Sequence, residues 1–299
     1  MHRIDTSTAQ VDKFGSGKNG FTGGNPQTGV LPTALDADYF DTLQEELAAV
    51  IEAAGITLNK AANNQLLSAM RALTPGRLLS IRSFTANTSI TFNALTKNIR
   101  VQIVGAGGGA GGAQSTSATQ ISVAAGGGGG AFADIYMPVP TSPVTLTIGA
   151  AGKGGSRTGP TSGTAGGSSI FGTYVTCPGG VAGAAAANTG SYPFIRKPTE
   201  GVAPTISLPT NGVTICALKG QPQSASIILG NSGNQGLGGI GGSSPFGIGG
   251  NGGGATTNGT PTSGTGYGSG GGAGCEFASY GGDEGGDGTG GFCLLMEYS

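Results

Sequence analysis

Tryptophan is absent from the 299 residues, histidine occurs once, and only 10% of positions are Asp, Glu, Lys or Arg. With His2 the sole imidazole, on a terminal arm, neither a Ser-His-Asp nor a Cys-His nucleophile set is available, and no histidine-built metal site is expected. The net charge of −1 lacks the basic footprint of a nucleic-acid binder. The four cysteines, at 177, 216, 275 and 293, show no C-x-x-C spacing and are too few for a disulfide scaffold. They read as small buried hydrophobes of a protein assembled in the cytoplasm. No run of 18 apolar residues occurs, and Met1-His2-Arg3-Ile4-Asp5 lacks the apolar stretch of a secretory signal. A role outside the cell would require release by a route other than secretion.

Glycine is what the chain has in excess. There are 63, of which 8 fall in residues 1–100 and 55 in residues 101–299. The strict three-residue repeat of collagen is missing. Glycine costs about 0.5–1 kcal/mol relative to Ala inside a helix or strand, so an ordinary helical globule is excluded beyond residue 100. The composition break there points to separate domains.

Residues 1–35 read as an extended, loop-rich arm, dense in Gly, Asn and Pro. An apolar stripe follows: Tyr39, Phe40, Leu43, Leu47, Val50 and Ile51 recur at helical spacing. Asp36 or Asp38 suits the N-cap and Gly55 the C′ position, giving a helix over 36–54. A second helix over 59–73 carries Ala62, Leu66, Met70 and Leu73 on one face, and Pro75-Gly76 ends it. Helices this short do not form a stable core alone. Self-association through Tyr39, Phe40, Leu43, Leu47, Val50, Ile51, Leu66, Met70 and Leu73 is therefore expected within an oligomerisation region 36–77, a hairpin packed on its own chain being the alternative.

From residue 78 the period becomes two. Strands are expected at Leu79–Phe84, Thr88–Phe92 and Ile99–Val104, making 78–104 a β connector, and then at Ala131–Tyr136, Val144–Ile148, Ile170–Thr176 and Phe292–Tyr298. Residues 191–228 form an island of ordinary composition, read as short strands or an inserted loop. The glycine runs at 105–112, 126–130, 238–254, 268–274 and 281–291 lie between these patterns. Glycine lets polyproline-II-like segments pack side by side, with backbone groups bonding between neighbours because none bond internally. The expected fold is mainly β, with irregular glycine-rich, polyproline-II-like segments over 105–299 and a short helical N-terminal region.

Motifs suggesting chemistry mostly dissolve. Val101-Gln102-Ile103-Val104-Gly105-Ala106-Gly107-Gly108-Gly109-Ala110 matches a dinucleotide fingerprint on paper. No helical pattern follows it, and no acidic residue appears before Asp134. Gly152-Lys153-Gly154 lacks the hydroxyl residue of a P-loop. The acidic group Asp283, Glu284 and Asp287 within Gly281–Gly288 reads as a solvated loop, with calcium binding and carboxylate catalysis as lesser alternatives. Neither enzymatic activity nor a metal or cofactor is expected.

The stretch Ile4-Asp5-Thr6-Ser7-Thr8-Ala9, then Phe14-Gly15-Ser16-Gly17-Lys18-Asn19-Gly20-Phe21, then Gly23-Gly24-Asn25-Pro26-Gln27-Thr28-Gly29, resembles the N-terminal segment of tail fibre proteins from Mu-like and related tailed phages and prophages. The resemblance runs on through Ala37-Asp38-Tyr39-Phe40, Val50-Ile51-Glu52-Ala53-Ala54-Gly55-Ile56 and Asn63-Asn64-Gln65-Leu66-Leu67. Residues 105–299 are similar, in composition as much as in position, to glycine-rich receptor-binding domains of phage fibres. This resemblance implies an elongated homotrimeric fibre in the virion tail, made in the host cytoplasm. The arm 1–35 would join tail or baseplate proteins, and the tip 105–299 would bind a host polysaccharide, pilus or outer-membrane protein. Aromatics are the usual anchors of such surfaces, so Tyr192, Phe194, Tyr267 and Tyr280 are the receptor-binding candidates, with core packing the alternative for each. The competing readings are a purely structural virion spike, a single-chain adhesin capping another fibre, and a polysaccharide depolymerase acting through Asp283 and Asp287.

Overall fold

A computed structural model describes residues 2–141, 143–231, 235–254 and 260–299. The chain divides into two compact units that meet in sequence at Arg77 and Leu78.

In the first unit, α1 (Ala37–Ala53) begins at Asp36, whose side chain accepts a hydrogen bond from the Asp38 amide at 3.2 Å. It ends in a Schellman turn. Gly55 adopts φ 73° and donates to Glu52 O at 2.8 Å, while Ile56 donates to Ile51 O at 3.3 Å. The second helix, α2 (Gln65–Leu73), starts six residues later than the apolar pattern suggests. The Asn59 side chain accepts from the Ala61 amide at 2.9 Å, and the Gln65 amide group bonds the Asn59 and Thr57 backbone. Such side-chain competition keeps Asn-rich segments out of helices. The preceding arm is not simply extended. It folds into hydrogen-bonded turns, with antiparallel bridges Gln10–Gly20 and Asn25–Val30, and it buries Ile4.

Among its described residues the second unit contains fifteen strands: β1 (Leu78–Phe84), β2 (Thr88–Ile90), β3 (Asn98–Val104), β4 (Ile121–Val123), β5 (Phe132–Pro138), β6 (Val144–Thr147), β7 (Ser169–Phe171), β8 (Val175–Cys177), β9 (Phe194–Arg196), β10 (Thr205–Ile206), β11 (Val213–Leu218), β12 (Ser226–Ile228), β13 (Gly236–Leu237), β14 (Cys275–Phe277) and β15 (Phe292–Tyr298). Two five-stranded antiparallel sheets, β1-β15-β3-β5-β11 and β10-β8-β7-β6-β2, pack face to face over Ile99, Val101, Ile103, Ile135, Met137, Leu146, Phe171, Val175 and Leu295. Residues 78–104, read as a connector, supply strands to both sheets. The single strand expected over 170–176 is a hairpin instead, because Gly172 turns the chain with φ 51°.

Between these sheets and two small ones, β14-β4 and β13-β12-β9, lie the glycine segments. Their backbone bonds follow a period of three. From residue 105 to 113, successive amides donate to Ala131, Gly167, Thr289, Gly128, Thr164, Gly286, Ala125, Thr161 and Asp283, at 2.8–3.1 Å. Every third amide therefore reaches the same antiparallel neighbour. Carbonyls of this segment accept from Gly180, Gly183 and Ala186, from Gly152 and Gly155, and from Gly271, on neighbours running parallel to it. This is the threefold, polyproline-II-type lattice that glycine permits. Its interior has almost no side chains; the methyls of Ala110, Ala113, Ala124, Ala186 and Ala273 fill the gaps. Among the described residues, no helix is long and apolar enough to cross a membrane.

Candidate functional site

The lattice sorts the second unit into two ends. At one end, Gly105, Ala131 and Gly268 bond level with the large sheets. At the other, Ala113 bonds Asp283 and Gly112 bonds Thr161, and the chain turns back through 114–120, 156–161, 187–193 and 276–282. Leu78, where the unit begins, pairs with Tyr298 at the edge of the sheet remote from the lattice. The loops therefore lie at the end opposite to the chain's entry into this unit.

The four aromatic candidates separate by this geometry. Tyr192, Phe194 and Tyr280 lie at the loop end, and Tyr192 is 48% exposed. Phe194 is half-buried, packs beside Ile121, Val123 and Ile228, and lies 5.5 Å from the Arg196 guanidinium carbon. Arg196 in turn donates to Val123 O at 2.7 Å and to Ala185 O at 2.8 Å, clamping β9 to the lattice. The Tyr280 ring tilts against Phe277 with centroids 5.0 Å apart. Tyr267 sits elsewhere: its ring stacks on Phe292 at 4.6 Å, in a cluster with Phe246 and Phe132 at the sheet end. Nothing in its own sequence neighbourhood announces a partner 25 positions away.

The acidic group does not converge on one point. Asp287 accepts from Lys153 Nζ at 2.9 Å and from the Gly154 amide at 2.7 Å; burial pushes its pKa up, but these bonds and the Lys153 charge hold it below the ordinary value. Glu284 accepts from the Arg157 amide at 3.0 Å. Asp283 instead interacts with Glu276, a residue the sequence pattern did not single out. Glu276 is only 5% exposed. Burial first, and then the bond to Asp283, pushes its pKa up to about 8. Burial also raises Asp283, although the Glu276 bond and the Arg157 charge pull the other way. The two carboxyls border a cavity of about 230 Å³ that Phe277 and Tyr280 also line. Larger cavities of about 340 and 410 Å³ flank β11 and the sheet around β6, away from these loops.

Three of the four cysteines, Cys177, Cys275 and Cys293, are buried free thiols, each pushed up in pKa by burial; Cys216 is half-buried. In the first unit, His2, Asp5 and Asp36 bring one ligand atom each within 4.8 Å of the others. As the sole imidazole on a terminal arm His2 gives no metal-site signal in the sequence; the fold adds Asp36 to the nearby Asp5. The helix residues read as an oligomerisation surface leave Phe40, Leu47, Met70 and Leu73 exposed, with Leu43, Val50, Ile51 and Leu66 half-buried. Tyr39 is engaged within its own chain, edge-on to Phe21 at 5.3 Å and to His2 at 5.9 Å.

A glycine-rich domain family matches residues 83–297. The uncharacterized protein StfP of Escherichia coli K12 is 68% identical over 73 residues, a stretch that covers 24% of this chain. The chain spans about a third of that relative's length, 35%.

Proposed function

This chain belongs to the glycine-rich domain family, and on that premise we propose that it is a tail fibre protein of a tailed phage or prophage, attaching the virion to a host-surface receptor without enzymatic activity. The observation that carries this reading is the three-period lattice, which delivers its connecting loops to one end of the second unit on a mount bonded in every direction across its segments. The N-terminal resemblance to phage tail fibres supplies the context. In this reading the first unit joins the tail, and the loops around Tyr192, Phe194 and Tyr280 engage polysaccharide or an outer-membrane or pilus protein. Three chains associate through the exposed Phe40, Leu47, Met70 and Leu73, covering apolar surface that α1 and α2 leave in water. Three tips per fibre turn weak single contacts into firm adsorption.

Two measurements test it. Light scattering of the full chain gives three times the 28.9 kDa of one polypeptide, and Leu47→Asp combined with Met70→Asp gives the single-chain mass. The purified protein, titrated onto Escherichia coli K12 and a panel of enterobacterial strains, binds at least one of them and blocks adsorption of a phage carrying this fibre. A monomeric wild type removes the trimer. Binding to no strain removes the attachment role.

A further inference from the structure

Resting on the loop end as the receptor surface, one feature there has the chemistry of a ligand site: the cavity between β14 and the turn that follows it. Two kinds of wall meet in its 230 Å³. The Phe277 and Tyr280 rings, tilted by 37°, supply a half-exposed aromatic surface. The Glu276 and Asp283 carboxyls supply oxygens withdrawn from bulk water, where a hydrogen bond is stronger than at an open surface. The turn carrying the rings holds Ala278 at φ 35° and Ser279 at φ 67°, a conformation that non-glycine residues rarely adopt.

We propose that this cavity is a subsite for one neutral sugar unit of a host-surface glycan, its C–H face on Phe277 and Tyr280 and its adjacent hydroxyls donating to Glu276 and Asp283. A pyranose pairs an apolar face with a row of hydroxyl donors at its edge, the same division of character as these walls. Carboxyl oxygens aimed into the cavity accept hydrogen bonds, which favours hydroxyl donors at the edge of the ring. Among the described residues no third carboxylate joins them, because Glu284 is turned to Arg157 and Asp287 to Lys153. Hydrolysis is disfavoured because glycosidase carboxyls act singly from either side of the scissile bond, whereas these two interact with each other on one wall of the cavity. The site therefore holds a glycan without cutting it.

Saturation-transfer NMR on the full chain, with glucose, galactose, mannose and N-acetylglucosamine as probes, is the test. At least one sugar gives a signal at millimolar concentration. Tyr280→Ala, which removes the ring, and Glu276→Met, which keeps the bulk and removes the oxygens, each reduce that signal at least tenfold while circular dichroism and melting stay near wild type. Silence from all four sugars, or an undiminished signal in both folded variants, overturns the subsite. Release of reducing ends from a bound oligosaccharide overturns its non-hydrolytic character. Cell binding separates the two levels: if wild type and both variants adsorb to host cells equally, the subsite falls and the fibre reading stands. If the wild type binds a sugar but no cell, the subsite stands and the fibre reading falls.

Discussion

Gly127→Ala and Gly271→Ala each destabilise the second unit by more than about 3 kcal/mol, or prevent its folding, whereas Gly290→Ala is neutral or slightly stabilising. A Cβ at Gly127 meets Gly108 O at 2.0 Å, and one at Gly271 meets Gly286 O at 1.9 Å. These obstacles are backbone, so relief requires two segments to move apart. Such overpacking costs about 1–3 kcal/mol, and each lattice bond lost between separated segments adds about 1 kcal/mol. At Gly290 the nearest atom is 3.9 Å away and φ is not left-handed. There alanine mainly narrows the unfolded ensemble, worth about 0.4–1 kcal/mol in favour of folding. Thermal melts read the contrast at about 2–4 °C per kcal/mol. Equal tolerance at all three positions would mean that the segments are not packed as described.

Glu297→Ala lowers stability by about 2–4 kcal/mol, because it leaves the buried Thr96 hydroxyl and the part-buried Asn93 amide without their acceptor, each costing about 1–3 kcal/mol, while the partly exposed Arg82 is rescued by water. Glu297 is 2% exposed and accepts from Ser80 Oγ at 2.8 Å, Arg82 Nη2 at 2.7 Å, the Asn93 amide at 2.8 Å and Thr96 Oγ1 at 2.7 Å. It ties β15, the last strand, to β1 and to the turn before β3. Burial works to raise its pKa, but the bonds from Thr96, Asn93 and Ser80 and the charge of Arg82 hold it below the ordinary value. A carboxylate whose folded pKa is depressed contributes stability that is fully present above its unfolded pKa, about 4.3, and is lost as pH falls through the folded value. Denaturant titrations from pH 7 down to pH 3 should therefore show the wild type losing its advantage over the alanine variant in the acid range. A constant difference across that range would remove the network from the account.

Much of this was legible from residue pattern. The stripe from Tyr39 to Ile51, an acidic cap and Gly55 placed α1 to within a residue at each end, because side-chain periodicity and caps are local signals. The long strands β1, β3 and β15 were equally plain. The start of α2 was not, since it depends on which Asn side chain wins the local backbone. Nor were β4 and β14, three residues long and set against glycine. The composition foretold a lattice of glycine segments, but not which segment bonds which, because a residue without a side chain writes no register into the sequence. The same gap hid the site. Phe277 and Tyr280 are close in sequence, but the Glu276–Asp283 bond exists only because β14 and the segment after Gly282 both anchor on 113–123. Tyr267 illustrates the same limit: it stays partly exposed, but its stacking on Phe292, 25 positions on, could not be read from its glycine-rich neighbourhood.

Hydrogen exchange of the glycine amides, followed by mass spectrometry on the full chain, tests the ordered lattice most directly. The amides of 105–113, of 124, 125 and 127–131, and of 268–273 donate across segments and are buried beneath their neighbours, so they should remain protected for hours, on a par with β3 and β15. Complete exchange within seconds, at the rate of a flexible glycine linker, would contradict the lattice and with it the mount on which the loop end depends.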